Sequence, residues 1–385
     1  MTSISSYHKK SKCFDNHVKN FQNEPLYEVS RIFYMKRIVV KVGTQCLINE
    51  KGQVRQDVIE HVMGQIICLK KRGFAVLLVT SGAVATGKTL LQRAPQFLNS
   101  GLESKVAFSL GMPHLFNAYQ ERAARDNLLC AQILLTKNDF RTRSRYLQIM
   151  YLFEGLIFEE NIIPIVNEND AVSSPESAFV DNDELAGLLA AQVRAHRLII
   201  FTTVEGVYDK NPYEHAAAKL IREICSDDLV PEMDTQKSQM GRGGMQSKLN
   251  TALKVSKLGI ETVIAHIDHC GTMCWFDEHH EGTKITASKN VSAYKRWLSF
   301  CQGVAGVYVN TGAIDALQNK KASLLPIGIT EICGDFKKGD VIYVLNEDHK
   351  IIAIGQAAYD SQQLHNALGQ AQQPELIHCN NMYVY

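Results

Sequence analysis

The chain has 385 residues, of which 45% are hydrophobic and 21% charged, with a formal net charge of +1. That is long enough for two or three domains with sizeable cores, and the balance is that of a soluble globular protein, which excludes wholesale disorder. The neutral charge leaves no electrostatic footprint for nucleic acid or an anionic membrane, and no apolar run reaches the roughly 18 residues needed to span a bilayer.

Residues 1–34 are polar and rich in Lys, Asn, Ser and His. They lack the apolar stretch of a secretory signal, and with Arg31 as their one arginine they match a transit peptide poorly. They read as a disordered extension, with Met35 as a candidate functional start. The ten cysteines mostly sit in apolar settings, as at Cys46, Cys68, Cys130 and Cys333. That pattern suits reduced, buried thiols in a reducing, cytoplasmic compartment better than a disulfide framework.

Ile38-Val39-Val40 reads as a strand ending in Lys41-Val42-Gly43-Thr44. Val58, Ile59, Val62, Ile66 and Leu69 have helical spacing between Val54 and Arg72, and Gly73 is a stop signal. Ala75 to Val79 is an apolar strand ending in Thr80-Ser81-Gly82-Ala83. Helix is expected from about Ser104 to Arg125, strand over Leu128–Leu135, helix over Arg143–Glu160 and strand over Ile162–Val166. A helix over Asp183–Val193, a strand over Leu198–Thr202, a helix over Gln246–Leu258 and a strand over Thr262–Ala265 follow. Runs apolar on both faces, alternating with helices, predict an α/β fold: a mostly parallel sheet sandwiched by helices. In such sheets ligands bind at the carboxyl ends of the strands. Lys41, Ser81, the run Asn167-Glu168-Asn169-Asp170, and Thr202-Thr203 all fall at such ends. After Thr286 short β-like pieces with turn residues predict a small β-rich domain. The expected organisation is a catalytic domain over 35–287, a linker over 288–302 and the small domain over 303–385.

Three motifs carry candidate chemistry. Gly241-Arg242-Gly243-Gly244-Met245-Gln246-Ser247-Lys248 precedes an amphipathic helix, an arrangement that lets backbone N–H groups and a lysine close on phosphate. Gly82-Ala-Val-Ala-Thr-Gly87-Lys88-Thr89 matches the P-loop pattern letter for letter and follows a strand, so a P-loop NTPase is an alternative. No later strand ends in an obvious lone Mg²⁺ aspartate, which argues against it. His266-Ile-Asp-His269-Cys270-Gly-Thr-Met-Cys274 and His279-His280 look like zinc ligands but do not match finger or ribbon spacings, so no metal site is assigned.

Several blocks in this order resemble one family. Val39-Val-Lys-Val-Gly-Thr, Thr80-Ser-Gly-Ala-Val-Ala-Thr-Gly, Val166-Asn-Glu-Asn-Asp-Ala-Val, Asp181-Asn-Asp, Gly206-Val-Tyr and Gly243-Gly-Met-Gln-Ser-Lys look like glutamate 5-kinase, of the amino-acid kinase fold. Lys295-Arg-Trp and Ser323-Leu-Leu-Pro-Ile-Gly-Ile look like the bridge into that family's C-terminal PUA domain. The start of the pattern is shared with aspartate and uridylate kinases, which stay as alternatives, and PUA domains resemble RNA-binding modules. No basic stripe is evident between Val304 and Tyr385, so RNA binding is the weaker alternative.

The resemblance implies phosphorylation of L-glutamate by ATP with Mg²⁺, as the first step of proline biosynthesis. It implies catalytic roles for Lys41, Asp183 and Lys248, with Asp183 holding the two lysines. Ser81, Asn167, Asp170 and Asn182 would bind glutamate. Lys41, Thr202, Thr203, Arg242, Gly243, Gly244, Met245, Gln246, Ser247 and Lys248 would bind ATP. Val180, Thr203 and Arg242 stand where the family commonly has Gly, Asp and Thr. Lys88, on this resemblance, is not a phosphate ligand, and Ser173 to Ala178 would form a mobile flap. A homodimer or homotetramer, a hand-off to glutamyl-phosphate reductase and feedback inhibition by proline are further implications.

Overall fold

The computed structural model describes residues 35–385 except 100, 175–177, 213, 216, 226–243, 269–281, 289–290 and 371. The extension expected over 1–34, the centre of the expected flap, the His269–His280 run, and Arg242 and Gly243 therefore lie outside the described residues.

The β-branched run at the start becomes β1 (Arg37–Val42), buried from Ile38 onward. A four-residue helix α1 (Thr44–Leu47) follows it, then α2 (Gln56–Lys71), whose spaced apolar residues Val58, Ile59, Val62, Met63, Ile66, Ile67 and Leu69 are all buried. Gly73, at φ +83°, ends that helix in the left-handed region that favours glycine. Then come β2 (Ala75–Val79), α3 (Ala83–Leu91), α4 (Glu103–Ala124), β3 (Leu129–Leu135), α5 (Arg143–Phe158) and β4 (Ile162–Glu168). They are followed by α6 (Asn182–Gln192), β5 (Arg197–Thr202), β6 (Glu223–Ile224), α7 (Met245–Lys257), β7 (Glu261–His266) and β8 (Thr283–Ile285).

These strands form one sheet in the order β3-β4-β2-β1-β5-β7-β8-β6. The strands from β3 through β7 in that order are parallel, and β8 runs antiparallel to β7. β1 is central: Val39 lies beside Leu77 on one side and Leu198 on the other. Burial on both faces explains why β1, β2 and β5 are near-continuous apolar runs. The strand expected to stop at Val166 runs on through Asn167 and Glu168.

The P-loop alternative does not survive. Gly82, at φ +96°, turns the chain, and the residues that should form a phosphate-cradling loop are helix α3 from Ala83 onward. Gly87 lies inside that helix, where α3 meets α4 at backbone contact. A Cβ on Gly87 would sit 1.7 Å from the Ala107 carbonyl oxygen, and one on Gly111 would sit 1.9 Å from that of Ala83. The second glycine of the pattern thus serves helix packing, not phosphate.

Residues 288–302 hold α8 (Ala293–Phe300), capped by Ser292, whose hydroxyl accepts the Lys295 N–H. Beyond it lie β9 (Gly306–Val309), α9 (Thr311–Lys320), β10 (Ile329–Cys333), β11 (Val341–Leu345), β12 (Ile351–Gln356), α10 (Ser361–Ala367) and β13 (Met382–Val384). They make a second sheet, β10-β9-β11-β12-β13, with its own core around Val307, Leu317, Ile342, Val344 and Ile377. α8 ties the two sheets together. Trp297 is buried and donates its indole N–H to the Phe140 carbonyl (3.4 Å), while the Tyr294 hydroxyl donates to Gln356 on β12 (2.7 Å).

The α3–α4 contact makes a prediction. Gly87→Ala must push the two helices apart, an overpacking that costs about 1–3 kcal/mol. Thermal unfolding of the variant, followed by circular dichroism, is expected to show a lower midpoint; an unchanged midpoint would contradict the backbone contact.

Candidate active site

Four strand ends converge. β1 delivers Lys41, β2 leads into Thr80 and Ser81, β4 ends in Asn167 and Glu168, and β5 ends in Thr202. The amino termini of α6 and α7 face the same region with Asp183 and Lys248. Together they wall a cavity of about 550 Å³.

The centre of this site is a buried charge cluster. Lys41 Nζ lies 2.6 Å from one oxygen of Asp183, and Lys248 Nζ lies 3.0 Å from the other. Lys41 is 4% exposed, Asp183 1% and Lys248 9%. Burial works to raise the Asp183 pKa, but the charges of Lys41 and Lys248 and the hydrogen bonds they donate prevail and hold it below the ordinary value. Burial likewise works against the Lys248 charge, and Asp183, with help from Asp181, outweighs it and raises that pKa. Two ammonium groups thus share one carboxylate, and all three side chains line the cavity.

The side chains around it are fixed by the way the helices begin. Asp181 is the N-cap of α6: one carboxylate oxygen accepts the N–H groups of Asp183 (2.9 Å) and Glu184 (3.0 Å). Its other oxygen accepts the Ser247 hydroxyl, which ties the start of α6 to the start of α7. Asn182 joins three segments. Its amide nitrogen faces the Thr80 carbonyl (3.0 Å), Ser81 Oγ (2.8 Å) and Asn167 Oδ1 (2.9 Å). Its own carbonyl oxygen is buried and accepts no hydrogen bond from the described residues. Glu168 is buried and accepts the Phe179 N–H (2.9 Å), and Glu184 accepts the Val180 N–H (2.9 Å) while pairing with Lys137 (3.0 Å). The chain between β4 and α6 is thus pinned where it rejoins the helix.

Of the residues singled out from sequence, Lys41, Ser81, Asn167, Asp170, Asn182, Asp183, Thr202, Thr203 and Lys248 all line this one cavity. Gly244 caps α7, and Met245, Gln246 and Ser247 form its first turn without lining the cavity. The sequence runs contained Asp181 and Glu168 without giving either a role. An N-cap role for Asp181 is readable from the Asp181-Asn-Asp run just before a helical pattern. The strand-end position of Glu168 is readable too, but its bond to Phe179 is not, because that bond spans a loop. Among the described residues no group of His, Cys, Asp and Glu is arranged to hold a metal ion, and no helix is long and apolar enough to cross a membrane.

Residues 36–266 match the amino acid kinase family, and residues 306–375 match the PUA domain. The chain is 36% identical over 356 residues to the glutamate 5-kinase of Chlorobaculum tepidum, covering 91% of this chain and 97% of that protein. It is 34% identical over 357 residues to the glutamate 5-kinase of Bacteroides thetaiotaomicron, covering 90% and 98%. It is 34% identical over 368 residues to that of Acinetobacter baylyi, covering 91% and 96%.

The charge cluster sets a stability prediction. Asp183→Ala leaves two buried ammonium groups without a counter-charge, at a cost of about 3–5 kcal/mol. Asp183 is depressed below its ordinary 3.8, so its contribution is present above that pH and is lost as pH falls through the folded value. Lys248 is raised above its ordinary 10.5, so its contribution is complete below that pH and is lost as pH rises through the folded value. Urea denaturation across pH is expected to show the full gap between native protein and variant inside this window and a shrinking gap outside it. A gap independent of pH would rule out the ionic origin.

Proposed function

The chain belongs to the glutamate 5-kinase family, and from that premise we propose that it transfers the γ-phosphoryl group of ATP to the side-chain carboxylate of L-glutamate. The product is L-glutamate 5-phosphate, and the step opens proline biosynthesis. The observation that carries the reading is the pair of buried lysines held on Asp183 at the strand ends, facing a cavity whose other wall is built of short polar side chains.

The chemistry asks for such a site. A glutamate side chain, with a pKa of about 4.3 in water, is already an anionic nucleophile at neutral pH, so no general base is needed. The obstacle is repulsion between that carboxylate and the triphosphate. A carboxylate oxygen attacks the γ-phosphorus, the bond to the bridging oxygen breaks, and ADP leaves with that electron pair; no proton moves. Lys41 and Lys248 would stabilise the charge on the transferring oxygens, and Asp183 would hold both ammonium groups on their targets. Gly43 leaves backbone open beside Lys41: a Cβ there would lie 3.5 Å from Lys41 Nζ. That opening suits a phosphate approaching the lysine. Thr202, Thr203 and the segment from Arg242 to Lys248 would take the nucleotide.

The acceptor side is assigned by charge. Asp170 suits the α-ammonium, an opposite charge on the cavity wall. Ser81 and Asn167 would orient the side-chain carboxylate. Mg²⁺ would arrive with ATP and would offset part of the negative charge of its phosphates. The described cysteines are free thiols, which suits a cytoplasmic setting; Cys46 is buried as its sequence setting implies, whereas Cys333 is exposed, at the end of β10. An acyl phosphate hydrolyses readily, so hand-off to a glutamyl-phosphate reductase follows from the chemistry. Proline inhibition and a homodimer or homotetramer belong to the same reading, checked by initial rates with proline and by light scattering.

The test is a panel of free amino acids and nucleoside monophosphates with Mg·ATP, following ADP release and trapping acyl phosphate with hydroxylamine. Glutamate-dependent turnover is expected; turnover on aspartate or uridylate without it would overturn the reading. Lys248→Ala is expected to lower kcat by about 100- to 1,000-fold, by analogy with loss of one oxyanion donor. Asp170→Ala is expected mainly to raise KM for glutamate, by about tenfold or more, as loss of a charged hydrogen bond implies.

A further inference from the structure

Lys88 lines the same cavity as the charge cluster, yet the roles assigned above leave it unused. We infer that its ammonium group binds the α-carboxylate of the acceptor, making Lys88 the residue that selects an amino acid over a simple carboxylic acid. The inference rests on the glutamate reading and deepens it.

The argument is one of charge and position. Glutamate presents two carboxylates and one ammonium. The side-chain carboxylate must face Lys41 and Lys248, where phosphoryl transfer occurs. Those two lysines are committed to Asp183 at 2.6 and 3.0 Å. The α-ammonium has Asp170. The α-carboxylate then needs a cation elsewhere on the wall. Among the described lining residues the lysine outside the cluster is Lys88.

Its surroundings leave it available. Lys88 sits on α3, the helix that begins directly after Ser81 and Gly82. The side chain is 56% exposed, and its partner in the structure, Glu103, is 3.8 Å away. An ion pair that long and that open to solvent is weak, and a substrate carboxylate can compete for the ammonium. The helix itself cannot drift, because Gly87, the neighbouring residue, is locked against the Ala107 carbonyl of α4. Ser104, in the first turn of α4, lines the cavity as well. A flexible cation is therefore mounted on a fixed helix at the edge of the acceptor pocket. The match of Gly82–Thr89 to a phosphate-binding motif hides a lysine that binds a carboxylate.

The experiment compares L-glutamate with L-isoglutamine, in which the α-carboxylate is a neutral amide and the side-chain carboxylate and α-ammonium are kept. Steady-state rates are measured for the native enzyme, Lys88→Met and Lys88→Arg. Lys88→Met is expected to raise KM for glutamate about tenfold, the lower end for a charged hydrogen bond, with KM for ATP unchanged. The preference for glutamate over isoglutamine in kcat/KM is expected to shrink by the same factor, and Lys88→Arg is expected to restore most of it. A merely structural role would weaken both acceptors equally. An unchanged preference in Lys88→Met overturns the inference while leaving glutamate kinase activity intact. Loss of ATP binding in Lys88→Met overturns it too. Absence of glutamate turnover in the native enzyme is the separate failure of the reading beneath it.

Discussion

Two ammonium groups and one carboxylate, all but removed from water, are the constraint around which this fold is arranged. Isolated, any one of them would cost several kcal/mol to bury. Together they are tolerable, because each lysine lies within 3.0 Å of its own oxygen of Asp183. The three come from β1, α6 and α7, elements far apart in sequence. The cluster can form only when β1 is central in the sheet and both helices begin at its carboxyl edge. Neither lysine has that carboxylate to itself, and both line the cavity, where an incoming phosphate would meet the two ammonium groups together.

The amino termini of the helices make that geometry reproducible. Asp183 lies in the first turn of α6, where the helix dipole favours negative charge, and Asp181 caps the same turn. Through its second oxygen Asp181 also holds Ser247, one residue before Lys248. The position of Lys248 is therefore set twice, by its own ion pair and by the bond next to it. Asn182, between the two aspartates, reaches the ends of β2 and β4 instead. Three consecutive residues thus face three directions, toward the α7 start, the acceptor wall and the lysines.

Much of this was legible in the sequence. The parallel sheet could be read from runs such as Ile38–Val40 and Ala75–Val79, because burial on both faces leaves an unbroken apolar stretch. The site could be read from where Lys41, Ser81, Asn167 and Thr202 stop those runs. What could not be read depends on contacts between segments. Gly82–Thr89 has the spacing of a phosphate loop, and only the approach of α4 to within backbone contact at Gly87 reveals a helix. The bond from Phe179 to Glu168 joins a loop to a strand end and has no periodicity to announce it. Residues 288–302 looked like a spacer, because a helix of the length of α8 gives little pattern, yet Trp297 on it is buried.

That helix bears on how the acceptor wall is supported. Trp297 donates to the Phe140 carbonyl, the Phe140 ring meets that of Phe179 edge-on at 6.0 Å, and the Phe179 N–H is held by Glu168. Lys137 also lies 6.0 Å from the Phe179 ring centroid, and it pairs with Glu184. The residues leading into the Asp181 cap therefore rest on a side-chain stack that begins at α8. Arg143 completes the same stack, with its guanidinium 5.2–5.6 Å from the rings of Tyr146, Tyr294 and Trp297. Because Tyr294 in turn bonds to Gln356 on β12, the C-terminal sheet is joined to the segment that shapes the acceptor pocket by packed aromatic side chains rather than by a free linker.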